Sequence, residues 1–128
     1  MDHQEQARIY FQAGRNCCQA VVGAYCKEIG VAQEEVDALA SNYGGGNYQG
    51  LCGALAGTYM VANYLKGLPD VDDPARCKDD EAGKLLVELT QDFERECGSL
   101  YCTQLLGKKP CVDYVQTAME ILADNLAE

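Results

Sequence analysis

Residues 51–65, LCGALAGTYMVANYL, are the longest apolar-leaning stretch of the chain, and they follow a glycine-crowded loop, YGGGNYQG, over 43–50. The stretch is interrupted by Thr58 and Asn63 and is too short to cross a bilayer. It has no polar face of any width, which predicts a buried central helix from Cys52 to about Lys66. The glycines before it let the backbone turn sharply or let another group approach closely, and Cys52 sits where that loop becomes a helix.

The rest of the chain reads as helices arranged around that element. A short first helix is expected from about Gln4 to Ala13, ended by Gly14. Asn16 is a good N-cap for a second, CCQAVVGAYCKEI, closed near Gly30. QEEVDALASNY is a third, with acids in its first turn, where the macrodipole favours them. Beyond an acidic connection, GLPDVDDPARCKDD, the run DEAGKLLVELTQDFEREC puts Ala82, Leu86, Leu89, Phe93 and Cys97 on one stripe. Gly98 ends it, a short turn CTQLLG follows, and Pro110 introduces a last helix striped with Val112, Val115, Met119, Leu122 and Leu126. With no strand pattern, repeat or composition break, the expectation is all-α: a single compact helical bundle of about five to six helices, one domain over 1–128.

The chain is 48% hydrophobic and 23% charged, as globular chains are. Asp+Glu number 20 against Lys+Arg 10, a formal net charge of -10, which opposes binding to a phosphate backbone; nucleic acid is not an expected partner. The opening MDHQEQARIY lacks the basic start and apolar run of a signal peptide, so a cytoplasmic protein without membrane insertion is expected. Eight cysteines in a reducing compartment point to metal binding or redox chemistry.

Position sorts those cysteines. Cys17 follows Asn16, Cys52 follows the glycine loop, Cys102 opens the CTQLLG turn and Cys111 follows Pro110. All four fall on the first turn of an expected helix, where free N–H groups and the dipole stabilise a thiolate. Cys97, at a carbonyl end on an apolar stripe, reads as core filler, and Cys18 and Cys26 read as packing residues. Cys77 lies among acids that suppress a thiolate. No C-x-x-C or close ligand pair marks a thioredoxin-like site or a zinc finger, and the single histidine, His3, is read as a solvated side chain near a frayed end. Asp70, Asp72 and Glu81 match calcium-loop positions, but Pro74 and Ala75 break the pattern.

The segments FQAGRNCCQAVVGAYC, GGGNYQGLCGALAGTYMVANYLKG, ECGSLYCTQLLG and PCVDYVQTAMEIL resemble, in order, the C_GCAxxG_C_C family of redox-active proteins. The hallmark Cys-Gly-Ala-x-x-Gly stands as Cys52, Gly53, Ala54, Leu55, Ala56 and Gly57, and the family's other cysteines match Cys17, Cys102 and Cys111. Cys18 departs from the family's small residue, and Cys97 stands close enough to Cys102 to exchange roles with it. The family is similar to the part of split-Soret cytochromes that holds an iron–sulfur centre. No C-x-x-C-H is present, so c-type haem is not implied.

The resemblance and the thiol placement lead to one site of Cys17, Cys52, Cys102 and Cys111 holding a 2Fe–2S cluster for electron transfer, with Gly53 and Gly57 giving access to the cofactor and tight packing. Three alternatives use the same residues: a metal-free thiol–disulfide protein, structural zinc, or a helical binding module with incidental cysteines. A redox partner protein is implied without being identified, and homo-oligomer formation is left open.

Overall fold

The computed structural model describes residues 2–44, 46–66, 75–76 and 80–126, apart from the side chains of 80 and 81. The calcium-loop match, Cys77 and Gly45 lie outside the described residues or depend on ones that do.

The described residues hold eight helical segments and no strand. They are α1 (His3–Gln12), α2 (Cys17–Ala24), α3 (Cys26–Ile29), α4 (Gln33–Ala40), α5 (Gly53–Leu65), α6 (Asp80–Cys97), α7 (Cys102–Leu105) and α8 (Cys111–Leu126). The all-α expectation holds. The count exceeds the expected five to six because two pieces are single turns. The second helix breaks at Tyr25 (φ -107, ψ 12), which splits CCQAVVGAYCKEI into α2 and α3.

The apolar pattern explains the packing. Every residue of α5 from Gly53 to Asn63 is buried, so it is the central element, packed against α2, α6 and α8. α1 covers α2 and α8, and α8 closes against α6. Phe93 and Leu89 of α6, Val115, Met119 and Leu122 of α8, and Leu55, Met60 and Val61 of α5 are fully buried, each contributing about 1.5–3 kcal/mol. Four stripe positions, Leu86, Cys97, Val112 and Leu126, are only half-buried.

Small residues bring α2 and α5 together. A methyl group at Gly57 would lie 2.8 Å from Val21 Cβ, closer than packed carbons tolerate. Among the described residues no helix is long and apolar enough to cross a membrane.

Candidate functional site

The start of α2 is clamped from two sides. Asn16 Oδ1 accepts the Gln19 amide at 2.7 Å, and Gln19 Oε1 accepts the Asn16 amide at 2.8 Å, a reciprocal N-cap. Asn16 Nδ2 also donates to the Ser41 carbonyl at 3.2 Å, beyond the end of α4. Arg15 makes a two-pronged pair with Asp37 of α4, at 2.9 and 3.1 Å. Cys17, the next residue along, is therefore set by a network joining α2 to α4.

The glycine loop is held against this cap. Gly44 lies so near Asn16 that an added Cβ would meet Asn16 Cγ at 2.6 Å. A Cβ at Gly53 would meet Gly44 Cα at 3.0 Å and Cys17 Cβ at 3.2 Å. Gly46 has φ 84, in the left-handed region, and its missing side chain leaves room for Cys102, whose Cβ would stand 3.1 Å away.

Cys52 and Cys102 are set side by side by a two-residue antiparallel bridge, Leu51 with Tyr101. The Cys52 amide donates to the Leu100 carbonyl at 2.8 Å, and the Cys102 amide donates to the Gly50 carbonyl at 2.9 Å. Sequence reading missed this bridge, because a pairing of one residue with one residue leaves no alternating pattern. Tyr114 of α8 supplies another tie: its hydroxyl donates to the Leu105 carbonyl at 2.9 Å, fastening α7 to the helix that Cys111 opens.

Cys17, Cys52, Cys102 and Cys111 all line one cavity of about 170 Å³, closed by Gly53, Leu105, Leu106 and Tyr114. Each stands at a helix start: Cys17, Cys102 and Cys111 are first residues and Cys52 is the N-cap of α5. Gly53 lines the cavity; Gly57, one turn further on, meets Val21 instead and serves packing. Cys18 is fully buried, its Sγ 3.6 Å from Met60 Sδ, and Cys26 and Cys97 are half-buried against the core.

The electrostatics correct one expectation. The helix starts predict thiolates, whereas burial pushes the Cys17 thiol far above its ordinary value of 9.0, aided by repulsion from Cys52, Cys111 and Cys102. Burial likewise raises Cys52; the Ala54 and Leu55 amides pull the other way without reversing it. Desolvation outweighs the helix terminus because the sulfurs face apolar walls and one another. Cys97 is pushed up to about 11, by burial first and the nearby Cys52 second.

In the metal-free protein Cys17 and Cys52 therefore hold their protons at neutral pH. Among the described residues no three His, Cys, Asp or Glu side chains are placed to share one metal ion. The donor set nonetheless suits a thiophilic centre: four sulfurs, an apolar wall, and a glycine at Gly46 where a side chain would push Cys102 aside. Any metal taking these sulfurs displaces their protons, so loading strengthens as pH rises.

The raised thiols also make the reduced protein sensitive to alkali. Their folded values lie above the unfolded ones, so the stabilisation is complete below about pH 9 and is lost as pH climbs toward the folded values. Denaturant midpoints should be flat from pH 7 to 8.5 and fall above about pH 9. Alkylation of Cys17 and Cys52 at pH 8 should be at least about tenfold slower than for a peptide thiol. Alkylation at the peptide rate would show these sulfurs to be ionised.

Comparison with curated proteins and with solved structures gives no match. The model of one family, described as "Putative redox-active protein (C_GCAxxG_C_C)", matches residues 15–125. That span begins at the Arg15 clamp and runs through all four cavity cysteines to the end of α8, so the chain belongs to the C_GCAxxG_C_C family of redox-active proteins.

Proposed function

We propose that Cys17, Cys52, Cys102 and Cys111 hold a 2Fe–2S cluster and that the protein transfers single electrons. The observation that carries this reading is the convergence of four thiols, from four separate helix starts, on one small apolar cavity. Such a cluster supplies one-electron chemistry at a centre ligated by four cysteine thiolates. The chain's residues divide the remaining work. Gly46 and Gly53 keep side chains out of the space, and Leu105, Leu106 and Tyr114 limit water. The amides of Ala54 and Leu55 attract negative charge on Cys52, which favours the reduced form of a centre bound there. This reading carries with it a reducing compartment such as the cytoplasm, and a partner protein that exchanges the electron.

Anaerobic reconstitution with ferrous iron and sulfide tests it. The expected product is coloured, with visible charge-transfer bands and about two irons and two sulfides per chain. A colourless, iron-free product would overturn the reading, and stoichiometric zinc in the isolated protein would replace it with a structural site.

One observation favours a second, metal-free reading. Cys111 lines the same cavity as Cys17 and is close enough to help raise its thiol, which makes these two a candidate dithiol. Oxidation by a small disulfide would join their sulfurs, with two electrons and two protons passing to the oxidant, which leaves as two thiols. Mild treatment with glutathione disulfide should then remove two titratable thiols, reversibly and without metal. An unchanged thiol count excludes this route.

A further inference from the structure

The segments that carry the four cavity cysteines differ in charge from the rest of the sequence. Every Asp and Glu of the chain lies outside residues 6–27, 38–69 and 97–112, the segments that hold Cys17, Cys52, Cys102 and Cys111. Within a chain of net charge -10, the site is built from acid-free sequence.

The third of these segments forms an outer lip. Leu106 lines the cavity yet is 64% exposed, and Tyr101, the residue before Cys102, is 45% exposed. These are two of the few large apolar side chains that the described surface leaves uncovered. Lys108 and Lys109 follow directly and are exposed. The turn that carries them is closed by the Leu106–Lys109 bridge and by the bond from the Lys108 amide to the Leu105 carbonyl at 3.2 Å. An apolar pair next to a basic pair is thus held in place at the edge of the redox site.

We propose that this lip is the docking surface for a redox partner protein whose contact face is acidic; the inference rests on the redox reading of the cavity. Exposed apolar side chains beside charged ones have the make-up of an interface core and rim. Across a contact, local charge pairs decide orientation and on-rate, because salt screens charges more than about 8 Å away at physiological ionic strength. Glu96 at the end of α6 and Asp113 in the first turn of α8 border the lip, while the acids further along both helices discourage adhesion elsewhere more than they oppose docking here.

A second copy of the chain suits the lip poorly. Lip-to-lip pairing sets lysines against lysines, and lip-to-back pairing is head-to-tail and does not close into a dimer. A small anion would use the lysines and leave Tyr101 and Leu106 without a role.

The test is an amide-resolved NMR titration of the reduced protein, as isolated and after reconstitution. A small acidic ferredoxin serves as the probe, poly-glutamate as a charge-only probe and basic cytochrome c as the opposite sign. With the ferredoxin, shifts should concentrate at Tyr101–Lys109, and binding should weaken about tenfold between about 50 and 300 mM salt. Lys108→Glu with Lys109→Glu should weaken it by about tenfold or more. Leu106→Ser should weaken ferredoxin binding and leave poly-glutamate binding unchanged. All four positions are exposed, so helical circular dichroism should not move.

Shifts scattered over other faces, indifference to the lysine reversals, or cytochrome c mapping to the same amides would each overturn the proposal. So would poly-glutamate reproducing the ferredoxin response in full, since the lip would then be a site for anions alone. The two readings fail separately. Mapped docking with a colourless reconstitution sinks only the cluster, and a coloured protein without mapped docking sinks only the partner surface.

Discussion

Serine at position 52 is expected to leave the reconstituted protein nearly colourless, with iron and visible absorbance reduced by about tenfold or more. Cys17→Ser, Cys102→Ser and Cys111→Ser should do the same, because a hydroxyl of similar size does not supply the soft anionic ligand that iron–sulfur centres require. The substitution separates chemistry from folding. Cys52 is the N-cap of α5 without a capping hydrogen bond, and serine is the better cap, so the helix should persist.

Three other cysteines are the controls. Cys26→Ser should change little. Cys18→Ser places a hydroxyl at a fully buried position beside Met60 and should cost about 1–3 kcal/mol of stability while iron content stays within about twofold. Cys97→Ser decides the register, since Cys97 stands within electrostatic reach of Cys52 but off the cavity wall. Loss of iron in Cys97→Ser with retention in Cys102→Ser would show that those two thiols exchange roles.

Gly44→Ala is expected to cost both stability and iron. The added carbon would meet Asn16 Cγ at 2.6 Å and Nδ2 at 2.8 Å. Asn16 cannot retreat without giving up its bonds to Gln19 and Ser41. Overpacking of about 1–3 kcal/mol and a lost cap of about 1 kcal/mol together lower Tm by roughly 10 °C for a chain of this length. Because Asn16 positions Cys17, iron uptake by the folded fraction should fall as well.

Gly57→Ala provides the contrast. It gains about 1 kcal/mol of helix propensity but presses on Val21 Cβ at 2.8 Å, for a net cost of about 1–2 kcal/mol. Its folded fraction should load iron normally. Thermal melts with iron analysis of the soluble fraction check both variants, and a Gly44→Ala protein as stable and as iron-rich as the parent would remove Asn16 from the account of the site.

Much of the helical architecture can be read from local chemistry. Asn16, the Gly30 stop, the Pro110 entry and the stripe Leu89–Phe93 act through neighbours one turn away, and sequence spacing records such neighbours directly. The break at Tyr25 was not legible, because CCQAVVGAYCKEI contains no proline or turn residue at that point.

The candidate site divides along the same line. That Cys17, Cys52 and Cys111 begin helices follows from an N-cap, a glycine loop and a proline, and Cys102 was placed by the short CTQLLG turn after Gly98, all local signals. That Gly44 must be glycine does not follow from its surroundings in the chain, since the contact that requires it comes from Asn16 across the fold. The Leu51–Tyr101 bridge is equally hidden, being a single pair of residues distant in sequence.

The amino-acid order alone determined an acidic all-α protein with four cysteines at helix starts, since each of those features depends on contacts within a few residues. Only the tertiary structure decided that the four thiols line one cavity and that burial there keeps Cys17 and Cys52 protonated. Convergence is a property of helix packing, and ionisation is set by how much water and like charge surrounds a sulfur, a quantity that exists only once distant segments have closed around it.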